Sequence, residues 1–280
     1  MRISLVGTTR SGKTVYLASL LRAAFTQDRV MRPIKVRPGA DCEPALDLFD
    51  SATGILCGTM PAGTTTLTRY QFVADLPGSL LAGLGKCSLD ITLTDPPGGD
   101  CMPPAGSSLH PAVLADLCEA DGLLLILPGD AAKLPGDLCD RLDALAQQVA
   151  EAKGVEPGKP VFLRACVVVT MAELLPAGNG GSALDELESK EPYDLVVEHV
   201  GSDLVRALRG MVAPGGDGYA LVSAMGFDRS TRGVAAHREA GDWKLVPGPR
   251  GFDEAWWPYR VFEPLEFLAR GVAWRARMAP

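Results

Sequence analysis

Gly7-Thr-Thr-Arg10-Ser11-Gly12-Lys13-Thr14 follows a short apolar run, Ile3 to Val6, and leads into an amphipathic stretch, Val15 to Phe25. The eight residues satisfy G-x-x-x-x-G-K-[ST], and strand-loop-helix is the setting in which that pattern carries its chemistry. Successive backbone N–H groups wrap phosphate oxygens, the lysine neutralises the β and γ oxygens, and the last threonine offers a hydroxyl to Mg²⁺. The helix that starts at the loop adds its positive dipole end. Gly7, Thr8, Thr9, Arg10, Ser11, Gly12, Lys13, Thr14 and Val15 are therefore assigned to a nucleoside di- or triphosphate, with Thr14 on the metal and Lys13 also acting in catalysis.

The chain has 280 residues, 47% of them hydrophobic and 22% charged, which is an ordinary globular balance. A net charge of −7 argues against a nucleic-acid groove or an anionic membrane surface as the main partner, because both need clustered Lys and Arg. No apolar run reaches the length of a membrane span, and a phosphate loop seven residues from the start leaves no room for a signal peptide, so a cytoplasmic protein is expected. Seven cysteines form no C-x-x-C pair and fit reduced, buried thiols.

Strand signals fall at Arg2–Val6, Arg69–Ala74, Ser88–Thr94, Gly122–Leu127, Phe162–Thr170 and Tyr219–Val222. Helical periodicity lies between most of them, over Lys13–Phe25, Pro111–Glu119, Leu134–Lys153, Tyr193–Val212 and Pro264–Ala276. The alternation predicts a single α/β domain over 1–280, with a doubly wound, mostly parallel six-stranded sheet. Leu76 to Lys86 is too short for a crossover helix, so the second and third strands are expected to be antiparallel neighbours. Three stretches, about 27–63, 177–192 and 227–258, exceed the minimal alternation and read as surface insertions.

The third strand ends in Asp95-Pro96-Pro97-Gly98-Gly99, a D-x-x-G arrangement. Asp95 is expected to hold Mg²⁺ through a water, and the Gly98 N–H to bond a γ-phosphate, so that the loop senses whether that phosphate is present. Ahead of the second strand, Thr64, Thr65 or Thr66 could complete the metal shell with its hydroxyl and bind the γ-phosphate with its N–H; Thr65 is the one assigned. The last two strands end in Thr170-Met171-Ala172-Glu173 and Ser223-Ala224-Met225, where a base would be read.

Five motifs at five successive strand ends resemble the TRAFAC class of P-loop GTPases over essentially the whole chain. The resemblance implies a P-loop NTPase fold that binds GTP or GDP with Mg²⁺, Thr170, Met171 and Glu173 standing where the family has T-K-x-D and Ser223, Ala224 and Met225 where it has S-A-K. In the family an acidic side chain takes two hydrogen bonds from guanine and a lysine stem stacks on the ring. Here Glu173 keeps the carboxylate on a longer arm, and Met171 and Met225 keep the stacking without the charge, which leaves ATP or relaxed specificity open. The finer pattern, with Trp256-Trp257-Pro258-Tyr259 leading to a last helix at Pro264, is similar to prokaryotic GTPase-like proteins of multi-gene conflict systems.

Ras-like members place a glutamine after the D-x-x-G glycine; that position is Gly99 here, so slow intrinsic turnover is expected. Large dimerising GTPases carry an arginine where this chain has Arg10, which is either a built-in arginine finger or a solvated loop side chain. With Arg10, Lys13, Thr65 and Gly98 as the catalytic set, the expected activity is a GTP-hydrolysing switch that acts on a protein effector or other components of a multi-protein system. A nucleotide-dependent dimer is compatible with it. The alternatives are a hydrolysis-deficient nucleotide-binding scaffold and an ATP-using phosphotransferase, for which no catalytic aspartate motif is visible.

Overall fold

Three central strands set the layout, because they are buried along nearly their whole length and must be covered on both faces. β1 (Arg2–Gly7) is buried from Ile3 onward, and β5 (Gly122–Pro128) is buried at every residue. β6 (Arg164–Thr170) is buried at all but its first. The computed structural model describes residues 1–26, 35–38, 47, 48, 50, 54, 66–76, 85–96, 101, 102, 104, 106–175, 182–227, 232, 234, 236–239, 242–245 and 258–271.

The remaining strands are β2 (Lys35–Pro38), β3 (Thr68–Leu76), β4 (Cys87–Asp95) and β7 (Asp217–Leu221), and the sheet runs β2-β3-β4-β1-β5-β6-β7. β4, β1, β5, β6 and β7 are parallel. β3 pairs antiparallel with β4 over Thr68↔Asp95 to Leu76↔Cys87, as the short connection predicts. All six expected strands are present, and β2, antiparallel to β3, adds a seventh at the edge from within the stretch read as the first insertion. The third insertion contributes a separate two-stranded hairpin, Ala236–Glu239 with Asp242–Leu245.

Helix α1 (Lys13–Thr26) is buried over most of its circumference: Tyr16, Leu17, Ala18, Leu20, Leu21 and Ala23 are all buried, and so are the polar Lys13 and Ser19. The Tyr16 hydroxyl donates to the Val261 carbonyl (3.0 Å), which ties α1 to the approach of the last helix, α7 (Glu263–Arg270). α2 (Pro111–Glu119) starts with Pro at its first position and the His110 Nδ1 accepting from the Ala112 N–H, a sound N-terminus. α3 (Leu138–Lys153) begins four residues later than the periodicity predicts, because a 3₁₀ turn at Ala131–Lys133 and Pro135 intervene. The expected helix Tyr193–Val212 is two, α5 (Pro192–Val200) and α6 (Ser202–Met211), broken at Gly201 with φ 86°. The second insertion holds α4 (Ala183–Ser189), whose Leu184 and Leu187 are buried. Among the described residues no helix is long and apolar enough to cross a membrane.

One buried polar cluster locks α2 to the sheet. Asp116 on α2 is 8% exposed and accepts from the Arg69 guanidinium of β3 and the Thr94 hydroxyl of β4, residues that face each other across the strand pair. Removing the carboxylate leaves the buried Thr94 hydroxyl without that acceptor, so Asp116→Ala is expected to lower stability by about 1–3 kcal/mol. A urea midpoint unchanged from wild type, at equal slope, would contradict this role.

Candidate functional site

The phosphate loop lies at the carboxyl end of β1, which pairs with β4 on one side and β5 on the other. Connections from β1 lead to one side of the sheet and the connection from β4 crosses to β5 on the other, so the loop occupies the crevice where strand order reverses. Gly12 has φ 81°, a value that strains any side chain, and a Cβ there would stand 3.1 Å from the Thr170 hydroxyl. Arg10 takes φ 61° and is exposed at the loop's crest. Thr9 is exposed as well, and Thr14 and Val15 are half-buried in the first turn of α1.

Lys13 is 5% exposed, and its ammonium donates back into the loop, to the carbonyls of Gly7 (3.3 Å) and Thr8 (3.0 Å). A buried ammonium needs such acceptors. Thr8 Oγ1 and Ser11 Oγ are buried and have no hydrogen-bond partner among the described residues, so the loop carries polar capacity those residues do not use.

Asp95 closes β4, 2% exposed. The β1–β4 register pairs Ser4 with Thr92; three residues on, it sets Asp95 level with Gly7. The chain after β4 also returns to the loop, where the Cys101 N–H donates to the Gly7 carbonyl (3.3 Å). The structure thus brings Asp95 beside the phosphate loop. Thr65 and Gly98, together with Thr64 and Gly99, lie outside the described residues. Thr66 is exposed, its carbonyl accepting from the Thr68 hydroxyl at 3.3 Å.

The ends of β6 and β7 form a cleft against the phosphate loop. Gly12, Val15 and Tyr16 line one side; Thr170, Met171 and Glu173 follow β6, and Val222, Ala224 and Met225 follow β7. The Thr170 hydroxyl lies 2.6 Å from the Ser11 carbonyl and 3.2 Å from the Leu127 carbonyl, which joins the two loops directly. Of the residues predicted to read a base, only Ser223 does not line the cleft. It is fully buried, its Oγ accepts the Gly226 N–H (2.8 Å), and its hydroxyl bonds Glu173.

Among the described residues that line the cleft, Glu173 alone is charged. Burial pushes its carboxyl up to about 6, while the Ser223 hydroxyl and its own backbone N–H favour the ionised form. Its Oε2 is buried without a partner. The surface around it is apolar, so a flat ring bearing hydrogen-bond donors at one edge matches the cleft chemically.

Two supporting residues were not singled out in the sequence. Gly129, just past β5, lets the backbone close on the loop after β6: its N–H donates to the Thr170 carbonyl (2.7 Å), and a Cβ would meet the Met171 carbonyl at 2.4 Å. The Pro128-Gly129-Asp130 turn at the end of a continuous apolar strand was the available signal. Tyr259, quoted above only as part of the approach to the last helix, exchanges two backbone hydrogen bonds with Ser223 (3.2 and 2.8 Å) and packs edge-on against Phe227, so it holds the loop after β7. Trp256 and Trp257 lie outside the described residues.

No protein-family model matches the chain, and no curated protein matches it. Among solved structures it is similar to Sup35 complexed with GDP, at 14% identity and a TM-score of 0.34 over 80% of this chain and 36% of that one. It is similar to a dimerization-deficient mutant of Toc33 from Arabidopsis thaliana, at 12% identity and a TM-score of 0.37 over 91% and 79%. The GTPase-like domain of Ski7 from S. cerevisiae, bound to GTP, matches at 11% identity and a TM-score of 0.40 over 88% and 47%. The chain thus spans about a third of the Sup35 structure and about half of the Ski7 structure. The α/β P-loop fold itself is read from this chain's own strand order and phosphate loop.

Proposed function

We propose that the chain is a Mg²⁺-dependent guanine-nucleotide-binding switch that hydrolyses GTP slowly and reports the γ-phosphate to a protein partner. The observation that carries this reading is the shared wall of the site: Gly12 and the first turn of α1 border both the phosphate loop and the cleft. Buried polar atoms without partners stand on both sides, Thr8 Oγ1 and Ser11 Oγ in the loop and Glu173 Oε2 at the cleft. A nucleotide supplies phosphate oxygens to the first pair and base donors to the last.

Thr14, Thr65 and Asp95 would hold Mg²⁺, which would neutralise charge on the phosphate oxygens. Lys13 would exchange its loop carbonyls for phosphate oxygens, an acceptor swap that keeps the buried ammonium satisfied. Arg10, exposed on the crest, is free to turn toward developing charge and to stand in for the glutamine that Gly99 replaces; a second copy of the chain is a natural means of aiming it. The Thr65 and Gly98 segments would carry the conformational signal.

Lys13→Ala is expected to weaken GTP and GDP binding by roughly a hundredfold, since it removes charged hydrogen bonds worth about 1.5–3 kcal/mol each. Isothermal titration of the folded mutant checks this, and wild-type affinity would sink the assignment of the loop. Asp95→Ala is expected to lower GTP affinity roughly tenfold with Mg²⁺ present and to change little with chelator, one lost metal-side contact being worth about 1.4 kcal/mol. Equal losses in both conditions would mark Asp95 as purely structural.

Glu173 gives the site a pH signature. A carboxyl raised to about 6 holds its proton more tightly in the folded chain than in the unfolded one, so its stabilising contribution is present at low pH and is lost as pH rises through about 6. Guanine donors require the ionised form. GTP affinity is therefore expected to fall as pH drops through 6, by about tenfold one unit below it, and Glu173→Gln is expected to abolish the slope. An affinity for ATP that instead rises on acidification would favour adenine.

A further inference from the structure

The cleft carries a methionine on each of its two strand-end walls, and they differ in access. Met225 is 5% exposed, whereas Met171 is only half-buried. Met171 also has an unusual backbone, φ 52° and ψ 41°, the left-handed region that side-chain-bearing residues seldom adopt. Its neighbours hold it there. The Ala172 N–H donates to the Val222 carbonyl (3.1 Å), and Gly129 closes on the Met171 carbonyl from the other side. The Cα–Cβ direction is thus fixed, and the side chain's methyl stands 3.9 Å from where a Cβ on Gly12 would be. One thioether covers both the cleft wall and the phosphate loop.

We propose that Met171 is an oxidation site through which a peroxide turns nucleotide binding down; this rests on the nucleotide-binding reading of the cleft. The sulfur lone pair attacks a peroxide oxygen and the O–O bond breaks. An S–O bond forms, and the second oxygen leaves as water or alcohol with the proton. Sulfur loses two electrons and the peroxide gains them, so no further reactant is needed. The product is polar, whereas Val15, Val222 and Met225 offer no side-chain donor and the Thr170 and Tyr16 hydroxyls of the same cleft already donate to the Ser11 and Val261 carbonyls. The sulfoxide either lies unpaired against the base or swings into solvent and uncovers Gly12. Both weaken binding, by about five- to a hundredfold for a polar group buried without a partner.

The test treats the full chain with hydrogen peroxide, maps oxidised methionines by peptide mass, and titrates GDP and GTP before and after. Met171 is expected to convert ahead of Met225 and of the buried Met102 and Met211, and more slowly with nucleotide bound. Affinity should fall five- to a hundredfold and return on treatment with methionine sulfoxide reductases. Met171→Leu, whatever its starting affinity, should show no further loss, and Met171→Gln, a polar stand-in for the sulfoxide, should bind weakly without peroxide. Full conversion of Met171 with unchanged affinity, resistance of Met171 to peroxide, or an equal peroxide-dependent loss in Met171→Leu would overturn the proposal. Failure of the untreated wild type to bind any nucleotide would overturn the reading of the cleft instead.

Discussion

A hydroxyl-to-carbonyl contact of 2.6 Å, Thr170 to Ser11, fixes the distance between the two halves of the site. Ser11 belongs to the loop after β1 and Thr170 ends β6, with β5 between the two strands, so the contact spans a strand that has no polar side chain of its own. It is possible because Gly12 keeps its side of the loop bare. The burial of β5 at every residue and the parallel register on both its sides hold the two loops at one level. A side chain at position 12, or a shift of register by one residue, would separate the phosphate side from the base side without touching either.

Polar groups are buried at both ends of the site. Lys13 donates to two loop carbonyls, while Glu173 keeps one carboxylate oxygen without a partner among the described residues, in an apolar wall. Either group would be simpler to replace with a hydrophobic residue if stability alone governed the sequence. Their retention, together with the left-handed Met171, places local strain and unsatisfied polarity in one small region, as at a site that a ligand completes.

Most of this layout was legible in the chain. The phosphate loop is readable because its chemistry fixes residue types at fixed spacing, and the central strands because full burial demands unbroken apolar runs. The antiparallel turn between β3 and β4 followed from length alone. The edge strand β2 was not legible: Lys35-Val-Arg-Pro38 is short and half charged, and its pairing with β3 is a tertiary event rather than a local preference. The break at Gly201 was hidden because the periodicity of α5 continues into α6 across it. The place of Tyr259 could not be read either, since backbone hydrogen bonds to Ser223 leave no mark on side-chain pattern.

That bond pair ties the base-side loop to a segment far along the chain. Thr14 and Tyr259 stand 245 residues apart in sequence, and at the usual pace of synthesis the second follows the first by roughly 12–50 s. Throughout that interval Tyr16 of α1 lacks the Val261 carbonyl that satisfies its hydroxyl, although Thr170, which closes the phosphate loop, emerges well before Tyr259. The apolar β1 and β5 of a nascent chain must therefore either wait under chaperone cover or collapse on each other before α1 is joined to the last segment.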